Sequence, residues 1–357
     1  MKQEQEIKEL LGHLQQTEGD NFKFDEAGIF WEVRKNESEK ASLTTRILSI
    51  AGGFIATLSF MGFIFAAGLE NSEVMLLFTG LIFIGAAIYV NKEFDKLILD
   101  TSAISAYVMG FILLGFGMSQ FKLDWNIVCI TFIIISTATL FITQGFILSF
   151  ISVIIVSGSF ISLIISNKYY DLIHLYNSAI AILLIWSYLN EAKIITGSKE
   201  ICKLYNPVRT GLIFSLCIGL FVVGKRDLVK ISVDYIWLSS LIMTPILIYL
   251  IYRIMQIIKI RNQKSEILIY SLSALILLPT AFAPAISGAL LILLVSFFVN
   301  YKTGIALGII ATIYFISQYY YDLNLTLLVK SLILFSTGIL FLLFYFLTNQ
   351  SKTNEEV

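Results

Sequence analysis

The side chains in this sequence that could do chemistry gather around a short motif that occurs twice. Residues 165–172 read Ile-Ser-Asn-Lys-Tyr-Tyr-Asp-Leu and residues 316–323 read Ile-Ser-Gln-Tyr-Tyr-Tyr-Asp-Leu, identical at six of eight positions. The copies supply hydroxyls at Tyr169 and Tyr320 and carboxylates at Asp171 and Asp322. Lys330 enters the last apolar run about one turn deep, near the N-terminal end of that helix, where the dipole disfavours a cation. Two readings of Lys330 stand. It snorkels to the interface and needs no partner, or it pairs with Asp322, Asp171 or Asp234 and so ties elements together or lines a site. Tyrosine suits a membrane–water interface, ring in the acyl boundary and hydroxyl in water. Each motif aspartate precedes an apolar run, where a carboxylate is expected to cap free N–H groups.

Other chemistry is sparse. There is no HExxH, Walker loop or GxSxG, and no pair of carboxylates within an apolar run. Cys129, Cys202 and Cys217 lack a CxxC spacing and read as small packing residues. Two histidines, His13 and His174, exclude a multi-histidine haem or di-metal site. The expectation is therefore no enzyme, no cofactor and no metal. Because every Asp and Glu lies at or outside the end of an apolar run, a pump built on a buried acid is disfavoured. The loop Gly224-Lys225-Arg226-Asp227 with Lys230 reads as solvated, with a receptor for an anionic ligand as the alternative.

The elements that carry these residues are set by composition. Apolar residues make up 57% of the chain and charged residues 14%, against a usual ~45–50% and ~25%. The 25 basic and 25 acidic residues cancel, so no net field points to nucleic acid. Between charge clusters lie runs long enough for helices to cross a ~30 Å hydrocarbon core. The reading is an all-α polytopic transmembrane bundle of about 12 spans: 47–69, 74–90, 103–119, 126–143, 145–166, 172–190, 208–224, 235–258, 267–281, 284–299, 304–318 and 326–347. One helix over 267–299 would be ~50 Å long, and Pro279 and Pro284 interrupt it. Two spans joined by a tight turn are expected there, with a re-entrant hairpin as the alternative.

With the N-terminus inside, inner segments hold 19 Lys and Arg and outer loops 5. The positive-inside rule then puts both termini in the cytosol of a bacterial cytoplasmic (inner) membrane. The polar residues 1–46 form a cytosolic segment with no cleavable leader. There Ile7, Leu10, Leu11 and Leu14 make one apolar helical stripe, suited to the protein's own loops, the lipid surface or a partner.

The repeated motif, with a fainter echo of Ser102, Ile104 and Tyr107 in Ser265, Ile267 and Tyr270, predicts a parallel duplication. Its halves are 47–190 and 208–347, joined by a basic linker 191–207 and followed by a tail at 348–357. Gly211, Ser215 and Gly219, and Gly304, Gly308 and Thr312, make small-residue stripes expected to allow close helix packing.

The C-terminal residues Tyr319, Tyr320, Tyr321, Thr326, Leu327, Leu328, Lys330, Ser331 and Gly338 resemble, in type and spacing, an uncharacterised bacterial multi-pass membrane family, a domain of unknown function. The resemblance covers about a fifth of the chain and brings no activity with it. It implies, as a partner, a small membrane-anchored protein with a GDYXXLXY signature. The bilayer is the other expected partner, and no oligomeric state follows. The functions in view are a scaffold or subunit of a membrane complex, or a small-molecule transporter or channel with a site between two six-helix halves.

Overall fold

The computed structural model of the chain describes residues 28, 52–53, 55–56, 59–64, 66–68, 72–93, 97–143, 145–225, 235, 237–258, 263–280, 283–322 and 326–332, with 335–336, 338–339 and 342. The stripe of Ile7, Leu10, Leu11 and Leu14, Asp234 and the 348–357 tail lie outside the described residues. Among the described residues all regular structure is helical. In chain order the helices are α1 (Glu73–Glu93), α2 (Leu97–Gln120), α3 (Trp125–Ile142), α4 (Phe146–Ser166), α5 (Leu172–Leu189), α6 (Glu191–Ile195), α7 (Lys199–Gly224), α8 (Trp237–Ile258), α9 (Gln263–Thr280), α10 (Pro284–Phe298) and α11 (Lys302–Asp322). Eight helices among the described residues are long and apolar enough to cross a membrane, and Pro284–Phe298 is a shorter apolar one. In hydrocarbon the backbone must satisfy itself, which a helix does within one segment.

Helix ends are set locally. Asp124 caps α3 by accepting from Asn126 N–H at 3.1 Å, and Ser198 caps α7 by accepting from Ile201 N–H at 3.4 Å. Three helices end in left-handed residues that are not glycine: Lys122, Lys168 and Asn300, with φ of 55°, 59° and 56°. After each, the chain turns back in the same way. The N–H groups of Leu123, Tyr169 and Tyr301 reach the carbonyls of Met118, Ile164 and Ser296, the Schellman closure.

The helices alternate in direction, and cross-links fix which ends are level. At one end Asn126 and Asn167 exchange amide bonds of 3.1 and 2.8 Å, joining the start of α3 to the end of α4. His174 at the start of α5 meets Ser239 at the start of α8, and Ser240 donates to the carbonyl of Thr280 at the end of α9. Gly224 at the end of α7 faces Gln318 near the end of α11. At the other end Glu191, Arg209 and Tyr301 meet. Residues 267–299 thus divide between two helices. The second runs antiparallel to α7, from Gly288 against Leu220 to Tyr301 against Thr210.

Two cores result. The first joins α1 to α4 around Ile84, Tyr107, Phe111, Leu114 and Leu148. The second joins α5, α7, α8, α10 and α11 around Leu184, Leu216, Leu247, Leu291 and Phe315. Helix α4 packs on both α3 and α7 and so connects them. Within a bilayer, apolar burial between helices gains little over lipid, so association depends on close packing and hydrogen bonds. Gly80 and Gly110 show the first: a Cβ on Gly80 would lie 2.8 Å from the backbone nitrogen of Leu114. Tyrosine hydroxyls supply the second. Tyr107 donates to Ser152 at 2.8 Å, tying α2 to α4, and Tyr176 bonds Ser157, tying α5 to α4.

Three sequence expectations meet a different structure here. The linker 191–207 is mostly helical, as α6 and the first turns of α7. The two motif copies differ in backbone: the first is a turn between α4 and α5, whereas the second stays in α11 through Asp322. The first aspartate accordingly does not cap as expected. Asp171 sits at the N-cap of α5 without a side-chain cap bond, and Asp322 is the last residue of α11. The copies diverge where Asn167-Lys168 stands against Gln318-Tyr319, because Lys168 adopts the left-handed conformation that ends α4.

Candidate functional site

The sequence-selected residues fall into separate places. Tyr169 is exposed on the 167–171 turn, beside the exposed Asp171. Asp322 is exposed, and Asp234 lies outside the described residues. The structure does bring Lys330 to the second motif copy: its Nζ donates to the Tyr321 carbonyl at 3.4 Å and stands 5.0 Å from the Tyr320 ring centroid. The cation thus rests on tyrosine of the second motif copy. Lys330 is half-buried.

A more developed polar centre forms at the opposite end, around Arg209. This residue is 7% exposed and sits on α7, shortly beyond the first third of the helix. Its Nη1 donates to Glu191 Oε1 at 3.1 Å and its Nη2 to Asn206 Oδ1 at 2.7 Å. Three tyrosine rings surround the guanidinium, with centroids at 3.7 Å for Tyr301, 4.8 Å for Tyr205 and 5.6 Å for Tyr188. The rings are themselves held. Tyr301 shares a 3.0 Å bond with Thr210, Tyr205 donates to the Ser187 carbonyl at 3.4 Å, and Tyr188 pairs with Ser296 at 3.4 Å.

Each partner is delivered by a local feature of the sequence. The corner between α5 and α6 presents Glu191, and the left-handed Asn300 turns the chain so that Tyr301 faces α7. Pro207 lies inside α7, where a missing N–H and ring bulk interrupt the helical ladder just before Arg209. A planar, permanently charged guanidinium both forks to oxygen and stacks on rings, which lysine cannot do. Chemically the arrangement holds charge and orients helices. Arginine does not exchange protons at ordinary pH.

Sequence reasoning passed over Arg209, counting it only among the inner basic residues. The one local signal was a cation inside an apolar run behind a proline. Its partners at Tyr188, Glu191 and Tyr301 are recognisable only once the chain is folded.

Residues 42–351 match a protein family described as a Domain of unknown function (DUF4401). The chain belongs to this family. No curated protein and no solved structure matches it. The DUF4401 domain begins close to the boundary read between the polar N-terminal segment and the first apolar run, and it contains the whole Arg209 centre, α1 to α11 and Lys330.

Proposed function

We propose that this DUF4401 protein is a non-enzymatic scaffold or subunit of a membrane complex. The observation that carries this reading is the filling of the second core, where α5 meets α7, α8 and α10. Ala181, Leu184, Ile213, Leu216, Leu247 and Ile292 have no exposed surface and pack into one apolar cluster. A transporter or channel with a site between two halves requires a hydrated passage there, and that filling argues against one.

The same proposal includes twelve crossings in a bacterial inner membrane, both termini cytosolic. Lys92, Lys193, Lys203, Arg253 and Lys302 share the Arg209 end, while Lys122, Lys168 and Lys225 share the other, and this supports the positive-inside orientation. The closely packed pairs α3–α4 and α10–α11 support a divergent six-plus-six duplication; α1–α2 and α8–α9, the other pairs it would equate, pack differently. The partner includes, on this reading, a small membrane-anchored protein.

Extraction of native membranes into lipid nanodiscs, followed by two orthogonal purifications and mass measurement, tests the scaffold reading. A partner retained at fixed stoichiometry is expected. Recovery of this chain alone, with solute flux in proteoliposomes above that of empty vesicles, would overturn it.

A further inference from the structure

Helix α5 carries His174, Asn177 and Ser178 on one face, and all three are buried. His174 Nδ1 lies 2.6 Å from Ser239 Oγ on α8. Beyond that bond the face is unsatisfied. His174 Nε2, both amide atoms of Asn177 and Ser215 Oγ are buried without a hydrogen-bond partner among the described residues. His174, Asn177 and Ser215 each have no exposed surface.

Two of these orphans, Asn177 and Ser215, belong to one junction, whereas His174 reaches across to α8. Asn177 lies directly against Gly219 of α7, where a Cβ would collide with its Oδ1. Ser215 stands one turn earlier on the same face of α7, and Tyr176 donates to its carbonyl at 3.2 Å while bonding Ser157 of α4. His174 precedes Asn177 by three residues, which makes them neighbours on the helix surface.

Leaving a buried donor or acceptor unpaired costs ~1–3 kcal/mol per group, and a bilayer interior offers no bulk water to relieve it. The groups present are an amide N–H donor, an amide carbonyl, a hydroxyl and a ring nitrogen. All are neutral, and together they both donate and accept. Their complement is a small uncharged molecule that does the same.

We propose that the junction of α4, α5 and α7 is a binding site for ordered water, held by Asn177 and Ser215, which pins α5 to α7. A buried water makes about three hydrogen bonds to such groups. The glycine at 219 leaves the space that the Asn177 amide occupies, so the amide lies directly against α7. The site serves the scaffold by specifying one docking of α5, and it stands whether or not a partner protein exists.

The test uses the full chain in lipid nanodiscs, at a resolution that shows water. Water-sized density within hydrogen-bond distance of the Asn177 amide and Ser215 is expected. An amide satisfied by protein alone, or density that fits only a larger solute, would overturn the proposal. Asn177→Leu and Ser215→Ala give an independent reading. Both should lower the midpoint of thermal denaturation, since each dismantles the network; unchanged or raised midpoints would mean that the groups are merely orphaned and the site dry.

Discussion

The guanidinium carbon of Arg209 lies 3.7 Å from the ring centroid of Tyr301, a residue far away in sequence at the corner between α10 and α11. With Glu191 at 3.1 Å on its other side, this stack joins the α5–α6 corner, α7 and the α10–α11 corner at one end of the bundle. Cation–π contacts contribute ~0.5–1 kcal/mol at exposed sites and about 2 kcal/mol or more when desolvated. Arg209→Met is therefore expected to cost about 3 kcal/mol, near the lower range for breaking a buried pair, because Glu191 keeps a 27% exposed side chain and is partly relieved by solvent. Arg209→Lys should recover only a minority of that. Thermal denaturation in detergent measures both, and full recovery by lysine would show that charge alone is used.

Lys330 should behave otherwise. Its contacts are a carbonyl and a tyrosine ring rather than a carboxylate, so Lys330→Met is expected to cost under about 1 kcal/mol. Adding Asp322→Asn should give an additive result in a double-mutant cycle. A single-mutant loss of ~3–5 kcal/mol, partly restored by the second change, would instead reveal a buried ion pair.

The left-handed lysines offer a stabilising change. Lys168 closes α4 at φ 59°, a conformation costly for a residue with a Cβ and free for glycine. Lys168→Gly should raise stability by about 1 kcal/mol, measured as a higher denaturation midpoint. The same substitution one residue earlier, at Asn167, should lower it, since Asn167 has φ −87° and bonds Asn126 on α3.

Glycine packing can be tested by contrast. A Cβ on Gly308 would lie 2.7 Å from the Cα of Leu293, whereas nothing stands within 4 Å of one on Gly158. Gly308→Val should separate α10 from α11 and cost ~1–3 kcal/mol or more, while Gly158→Ala should cost nothing and gain up to ~1 kcal/mol of helix propensity. Equal effects at the two positions would remove close approach as the reason for the small-residue stripe.

Topology has a direct assay. A fluorescent protein fused to the C-terminus should fluoresce, as expected for a cytosolic end. Alkaline-phosphatase activity at that end would mean that one crossing fewer occurs, and the α9–α10 pair would be the segment to re-examine.

Much of the architecture was legible because it depends on local quantities. Runs such as 145–166 and 172–190 are long and apolar, and helices α4 and α5 occupy them almost to the residue. The small-residue stripe through Gly304 and Gly308 pointed to close packing for the same reason: which neighbours a helix can approach is written on its own surface. Likewise, Pro284 marked the start of α10, because proline suits the first turn of a helix.

What the sequence by itself determined is thus the all-helical class and the placement of apolar helices such as α4 and α5, since hydropathy and helix length are sums over neighbouring residues. Only the tertiary structure decided which polar groups matter. Tyr188, Arg209 and Tyr301 lie on different elements, and nothing in their local spacing couples them. The repeated Tyr-Tyr-Asp-Leu words, conspicuous in sequence, end in different backbones because the residues before them turn one helix and prolong the other. Polar partners in an apolar bundle are chosen by which helix faces are pressed together, and that is a property of the packed chain.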